Sequence, residues 1–270
     1  MSTARERLKT ARRIVVKVGT STLAHADTGK LNLYRIEHLI REMADLHNAG
    51  KEIIFVSSGA IAAGMNKLGI KVKPQTIPEN QALAAIGQGI LMHIYEKFFA
   101  EYGLTIGQVL LTKENAIDED ARANSRNSLC TILDMGAIPV INENDAVGVD
   151  EIRIGDNDNL SAIVAAMIGA EVLIILSDID GLYDGNPKQD KSARLIDEVS
   201  EINSDIERIA GGVGTKLGTG GMFTKIQAAK LATANGVTML IINGSNVGNL
   251  RRVLSGEVIG TIFPSKEAIE

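Results

Sequence analysis

The chain contains no tryptophan, a single cysteine, four histidines and only 3% aromatic residues. Each scarcity removes a class of function. One cysteine, Cys130, allows no internal disulfide and fits a reducing compartment, so a cytoplasmic location is expected. Cys130 keeps helical spacing with Leu133 and reads as a buried core thiol rather than a nucleophile. His25, His38, His47 and His93 are scattered, and no pair has metal-ligand spacing. Few aromatic rings and a net charge of −5, from 28 basic and 33 acidic residues, argue against base stacking and a nucleic-acid partner. No apolar run approaches the ~18 residues of a membrane span, and no signal-like stretch follows the basic N-terminus. No membrane association is expected.

What remains is a composition of 45% hydrophobic and 23% charged residues over 270 positions, ordinary for a soluble globular protein. Short apolar runs predict strands at 14–18, 52–56, 105–111, 138–141, 172–176, 238–242 and 260–263. Helical patterns alternate with them at 33–48, 59–68, 79–102, 119–135, 159–168 and 221–235. Alternation with nearly continuous apolar strands indicates a mainly parallel sheet covered on both faces. A hairpin or loop is expected at 146–154. No repeat or linker divides the chain, so residues 1–270 read as a single domain. The polar stretch 184–218 reads either as a lid over a ligand or as an irregular surface excursion. In open α/β sheets ligands sit beyond the carboxyl ends of strands, and polar residues there are the candidates.

Five sets stand out. Gly218, Thr219, Gly220 and Gly221 precede a helix that carries Lys225 near its start, a combination suited to a polyphosphate. The Walker spacing is absent and Phe223 breaks a dinucleotide fingerprint, so an ordinary glycine-rich turn also stays open. Lys17 sits in an otherwise apolar strand, where a charge is costly without a partner or ligand, and Gly19 and Thr20 follow it. Ser57 and Ser58 end the second strand, where they either cap the next helix or receive a carboxylate. Asn142, Glu143, Asn144 and Asp145 follow a strand, and Asp156, Asn157, Asp158 and Asn159 come shortly after. Amides mixed with carboxylates suit a zwitterion; a calcium loop is the other possibility, though the EF-hand spacing is missing. Ser177 and Asp178 follow the most apolar strand, where Asp178 serves either a ligand or a turn.

In this order, Val16–Ser21, Ser57–Ile61, Pro139–Asp145, Gly155–Ser161 and Gly218–Lys225 resemble the amino-acid kinase family, over about Arg13 to Phe263. The Asn-Glu-Asn-Asp and Gly-Asp-Asn-Asp-Asn segments resemble the members that act on L-glutamate. Sister enzymes acting on aspartate, acetylglutamate, carbamate or UMP differ there. The resemblance implies a three-layer αβα sandwich around a mainly parallel sheet of about eight strands. It implies ATP as phosphoryl donor, with Mg²⁺ held largely by phosphates and water and by few protein ligands. Lys17 and Lys225 are then expected on the phosphoryl oxygens, with Asp158 orienting them. Gly19, Thr20, Ser177, Asp178, Thr219, Gly220, Gly221, Met222, Phe223, Thr224 and Lys225 are expected at the nucleotide, and Ser58, Asn142, Asp145 and Asn157 at the glutamate. Proline as feedback inhibitor and a homo-oligomer, dimer or tetramer, are further expectations. Many members continue into a C-terminal PUA module, which is not expected within this chain. A non-catalytic sensor on the same fold, and a dinucleotide oxidoreductase, are the readings of other classes.

Overall fold

The computed structural model describes residues 3–148, 157–187, 189–211 and 221–265. In chain order the first elements are α1 (Thr3–Leu8), β1 (Arg13–Val18), α2 (Thr20–Leu23), α3 (Leu33–Asn48), β2 (Glu52–Val56), α4 (Ala60–Leu68) and α5 (Ile77–Glu101). There follow β3 (Ile106–Leu111), α6 (Lys113–Ile117), α7 (Glu119–Asp134), β4 (Ile138–Glu143), α8 (Asn157–Met167) and β5 (Val172–Ser177). The last are α9 (Ser204–Ile209), α10 (Met222–Ala234), β6 (Thr238–Asn243), α11 (Asn249–Leu254) and β7 (Thr261–Phe263). The residues form two compact units, Val18–Asn157 and a second made of Met1–Lys17 with Asp158–Glu270.

In the continuous unit, β3, β4 and β2 lie side by side and parallel, with Ile106 opposite Ile138 and Phe55 opposite Val140. Ile53, Ile54, Phe55 and Val56 are all fully buried, as expected of a strand covered on both faces. Ile36, Leu39, Ile40 and Met43 give α3 its apolar stripe, and Leu83, Leu91, Tyr95 and Phe99 give one to α5. Tyr95 meets Phe55 edge to face at 5.1 Å between ring centroids.

Helices α4 and α5 touch backbone to backbone. A Cβ on Gly64 would lie 2.1 Å from the Leu83 carbonyl oxygen, and one on Gly87 only 1.7 Å from that of Ala60. Glycine weakens a helix interior by about 1 kcal/mol, so its presence on both sides of one contact reflects the packing it permits. That contact fixes the α5 turn after Gly87 against the helix that begins beyond β2.

The segmented unit holds β1 (all but its last residue), β5, β6 and β7 in that order. β5 and β6 are parallel, from Val172 opposite Thr238 to Ser177 opposite Asn243, whereas β7 is antiparallel to β6. Arg5 of α1 is 2% exposed, and its guanidinium donates to the carbonyls of Asp197, Glu257, Ile259 and Gly260. Burial lowers its pKa, opposed by Asp197 and Glu198.

The described residues contain seven strands rather than about eight, and most of the expected 146–154 hairpin lies outside them. Two boundaries moved for identifiable reasons. Helix α5 starts at Ile77 because Pro78 is tolerated in a first turn, where its missing N–H has no partner to lose. Helix α8 starts at Asn157 because Asn and Asp serve a helix start as readily as a turn. The short helices α1, α2, α6, α9 and α11 were too brief for periodicity to reveal. Cys130 is half-buried on α7 rather than a core residue. No helix among the described residues is long and apolar enough to cross a membrane.

Gly87→Ala should cost about 2 kcal/mol or more by overpacking. Gly89→Ala, whose Cβ would meet nothing within 4 Å, should be neutral or stabilising by up to about 1 kcal/mol. Urea unfolding of both variants checks the contrast, and equal effects would remove the role given to the α4–α5 contact.

Candidate active site

Lys17 and Lys225 are distant in sequence and share one partner. Lys17 Nζ lies 2.5 Å from Asp158 Oδ1, and Lys225 Nζ lies 3.1 Å from Asp158 Oδ2. The three side chains are 6%, 5% and 0% exposed, so each charge has left bulk water. A buried ion costs several kcal/mol unless it is paired, which answers how a lysine is tolerated within β1. Lys225 poses a similar problem near the start of α10, where the helix dipole disfavours a cation. Asp158 occupies the opposite, favourable setting in the first turn of α8. The Thr224 hydroxyl completes the cluster, 2.9 Å from Asp158 Oδ2 and 2.8 Å from the Gly221 carbonyl.

Burial alone would raise the Asp158 pKa. The adjacent Lys17 and Lys225, together with hydrogen bonds from Lys17 and Thr224, outweigh that and hold it below its ordinary 3.8. Two ammonium groups therefore meet at one carboxylate. Such a cluster can receive an anion.

The remaining nucleotide candidates divide. Gly221 caps α10, Met222 and Thr224 are half-buried, and Phe223 is 41% exposed on its first turn. Ser177 ends β5, is buried, and donates to Asp178 Oδ1 at 3.2 Å, leaving Asp178 exposed. Thr219 and Gly220 lie outside the described residues. Gly19 caps α2 and Thr20 opens it, in the other unit. Gly59, at φ +88°, passes so close to Thr20 that a Cβ there would lie 3.3 Å from Thr20 Cγ2.

In the continuous unit, Ser58, Asn142 and Asn157 meet directly. The Asn157 amide nitrogen donates to the Ser57 carbonyl at 2.6 Å, to Asn142 Oδ1 at 2.7 Å and to Ser58 Oγ at 3.0 Å. Asn142 Oδ1 also accepts from the Glu143 N–H at 2.9 Å, and its own amide nitrogen donates to Gln88 Oε1 at 2.9 Å. The Ser57 hydroxyl bonds to the buried Tyr95 hydroxyl at 2.7 Å. Burial pushes the Tyr95 phenol well above its usual range, so it stays protonated. Asp145 lies on the turn after β4 and, with Gln88, Glu143 and Asn144, lines a cleft of about 320 Å³. That volume suits a small molecule.

Gln88 was missed in the sequence. The signal that would have found it is an amide on the apolar stripe of α5, between Ala84 and Leu91, where a polar side chain needs a partner. Among the described residues, no three His, Cys, Asp or Glu side chains group as metal ligands.

Residues 12–243 match the description of the amino acid kinase family. The chain belongs to that family. Two relatives extend the likeness over almost all of both proteins. The glutamate 5-kinase of Clostridium acetobutylicum is 54% identical over 98% of this chain and 99% of its own, and that of Clostridium tetani is 56% identical over 96% and 97%. The glutamate 5-kinase of Carboxydothermus hydrogenoformans is 54% identical over 97% of this chain, which spans 70% of that longer protein. Among solved structures, UMP kinase from Bacillus anthracis aligns over 95% of the chain with a TM-score of 0.66 at 18% identity. An isopentenyl phosphate kinase aligns over 93% with a TM-score of 0.65 at 19% identity. At such identities these two speak for the fold alone. The mainly parallel α/β fold is that of an amino acid kinase.

In this amino acid kinase, the lowered Asp158 pKa fixes a pH dependence. A carboxyl that ionises more readily when folded contributes stability fully above its unfolded value, and loses it as the pH falls toward the folded one. The native protein should therefore lose stability below about pH 4. Asp158→Asn should lack that component and be less stable at neutral pH by about 3–5 kcal/mol, because both lysines lose their counter-charge. Urea unfolding at neutral and acid pH measures both. An unchanged acid response in Asp158→Asn would show that the cluster contributes nothing.

Proposed function

We propose that the chain transfers the γ-phosphoryl group of ATP to the side-chain carboxylate of L-glutamate, giving L-glutamyl 5-phosphate and ADP. The observation that carries this reading is the likeness to glutamate 5-kinases at 54% and 56% identity over nearly the full length. The reaction opens proline biosynthesis from glutamate.

A glutamate side chain with an unperturbed pKa of about 4.3 is already ionised at neutral pH. No general base is required. One carboxylate oxygen attacks the γ-phosphorus, the bond to the β-phosphate oxygen breaks, and ADP leaves with that electron pair. The obstacle is the approach of two anions, so catalysis rests on positioning and charge neutralisation. Lys17 and Lys225 supply the neutralising charge, and Asp158 holds both ammonium groups in place before substrate arrives. Gly19 and Thr20 contact the terminal phosphates, while Ser177, Asp178 and residues 219–225 hold the rest of the nucleotide. Ser58, Asn142, Asp145 and Asn157 take the glutamate, Asp145 through its ammonium group. Asn157 and Asp158 are consecutive, so one peptide bond joins a glutamate contact to the residue that holds the lysines.

A donor set of two cations around one carboxylate suits phosphate oxygens better than a bare metal ion. Magnesium therefore enters with the nucleotide, bound by its phosphates and by water, and lends further neutralisation of phosphate charge. The 184–218 stretch, of which 188 and 212–218 lie outside the described residues, acts as a lid that keeps water from the labile acyl phosphate. Proline competes at the glutamate site, and the chain works as a single catalytic domain in a cytoplasmic homo-oligomer.

ADP release measured with L-glutamate, aspartate, acetylglutamate and UMP tests the reading. Formation with glutamate alone supports it, and a preference for another acceptor overturns it. Lys17→Ala and Lys225→Ala should each lower turnover by ~10²-fold or more. A near-normal rate would remove that lysine from the mechanism. Asp145→Ala should raise the glutamate KM by about 10-fold or more while the ATP KM stays close to normal. Equal changes in both would take Asp145 out of the amino-acid pocket.

A further inference from the structure

The oxygen and nitrogen of an amide are told apart by their hydrogen-bond partners. Here two backbone groups decide the matter. The Glu143 N–H can only donate, so the Asn142 atom 2.9 Å from it is the oxygen. The Ser57 carbonyl can only accept, so the Asn157 atom 2.6 Å from it is the nitrogen. Both anchors agree on the 2.7 Å bond between the two side chains, Asn157 Nδ2 to Asn142 Oδ1. Asn142 must then offer its NH₂ to Gln88, and Gln88 must answer with its carbonyl. The Gln88 NH₂ group is thereby turned away from Asn142, and no partner takes it among the described residues.

Gln88 is 8% exposed and lines the cleft that also contains Glu143, Asn144 and Asp145. Glu143 and Asp145, when ionised, are acceptors only, which suits an ammonium group and repels a carboxylate. An α-amino acid carries both groups on one carbon. A neutral donor therefore has to face the carboxylate without cancelling the negative charge that attracts the ammonium. An amide NH₂ meets that requirement, whereas a lysine or arginine would pair with Asp145 instead. The other amides in the cleft wall are Gln108, exposed on β3, and Asn144, half-buried on the turn after β4; neither side chain has such a chain of hydrogen bonds fixing its polarity among the described residues.

We propose that Gln88 is a specificity-determining contact, whose NH₂ group, aimed by the Glu143–Asn142–Gln88 chain of hydrogen bonds, donates to the α-carboxylate of the acceptor amino acid. The inference rests on the reading that the acceptor is glutamate.

Gln88→Glu separates this from a purely structural role. The replacement keeps an oxygen to accept from Asn142, so the hydrogen-bond chain survives, but exchanges the donor for a negative charge. The glutamate KM should rise by at least about 10-fold while the ATP KM changes by less than about two-fold. A second arm compares L-glutamate with its α-amide, L-isoglutamine, which keeps the reacting side-chain carboxylate. The preference for glutamate, as a ratio of kcat/KM or of inhibition constants, should fall by at least about 10-fold in the variant. That ratio is independent of how much of the preparation is folded. Should Gln88→Glu fail to fold, Gln88→Met removes the donor without adding charge, and the same ratio should fall. An unchanged ratio in a folded variant overturns the proposal. Absence of glutamate-dependent ADP formation by the unmodified protein would instead overturn the functional reading.

Discussion

One carboxylate shared by two ammonium groups sets the electrostatics of the segmented unit. Asp158 contacts both Lys17 and Lys225, and none of the three is more than 6% exposed. Desolvating these charges costs several kcal/mol each, and the shared carboxylate offsets that cost by holding both ammonium groups. Preorganised charge of this kind stabilises a transition state without reorganisation at the moment of reaction.

The amide cluster in the continuous unit follows a different logic. Its members carry no net charge, and their value lies in direction. Two backbone groups, the Glu143 N–H and the Ser57 carbonyl, dictate which way Asn142 and Asn157 face. Tyr95 secures Ser57 from beneath, with a hydroxyl kept protonated by burial. The α4–α5 contact at Gly64 and Gly87 sets the height at which Gln88 enters the cluster. Polarity is in this way passed from main chain to side chain to cleft.

Much of this architecture was legible because its strands are uninterrupted apolar runs and its longer helices repeat at 3.6 residues. Lys17 announced itself as a charge among Ile14, Val15, Val16 and Val18. Its partner lies 141 residues away, a distance no periodicity can bridge; Asp158 stood out in the Asp156–Asn159 group, but its pairing with the lysines came through family resemblance alone. The start of α8 was misplaced because Asp and Asn suit turns and helix N-termini equally. Gln88 escaped notice because an amide among Ala84, Gly87 and Leu91 looks like a lapse in the apolar stripe until its acceptor role is seen. The paired glycines of α4 and α5 were visible as letters, but their mutual contact was not.

Arg5 carries a consequence of another kind. Its guanidinium, with five N–H donors available, gathers carbonyls from residue 197 and from residues 257–260, so the first helix is stitched to segments far along the chain. Shortening the polypeptide past this arginine would take a donor from the carbonyls of Ile259 and Gly260, whereas those of Asp197 and Glu257 keep the N–H groups of Ile262 and Ile259. How far natural variation or deliberate truncation can trim the leading residues is therefore set by a side chain that belongs to neither of the two polar clusters.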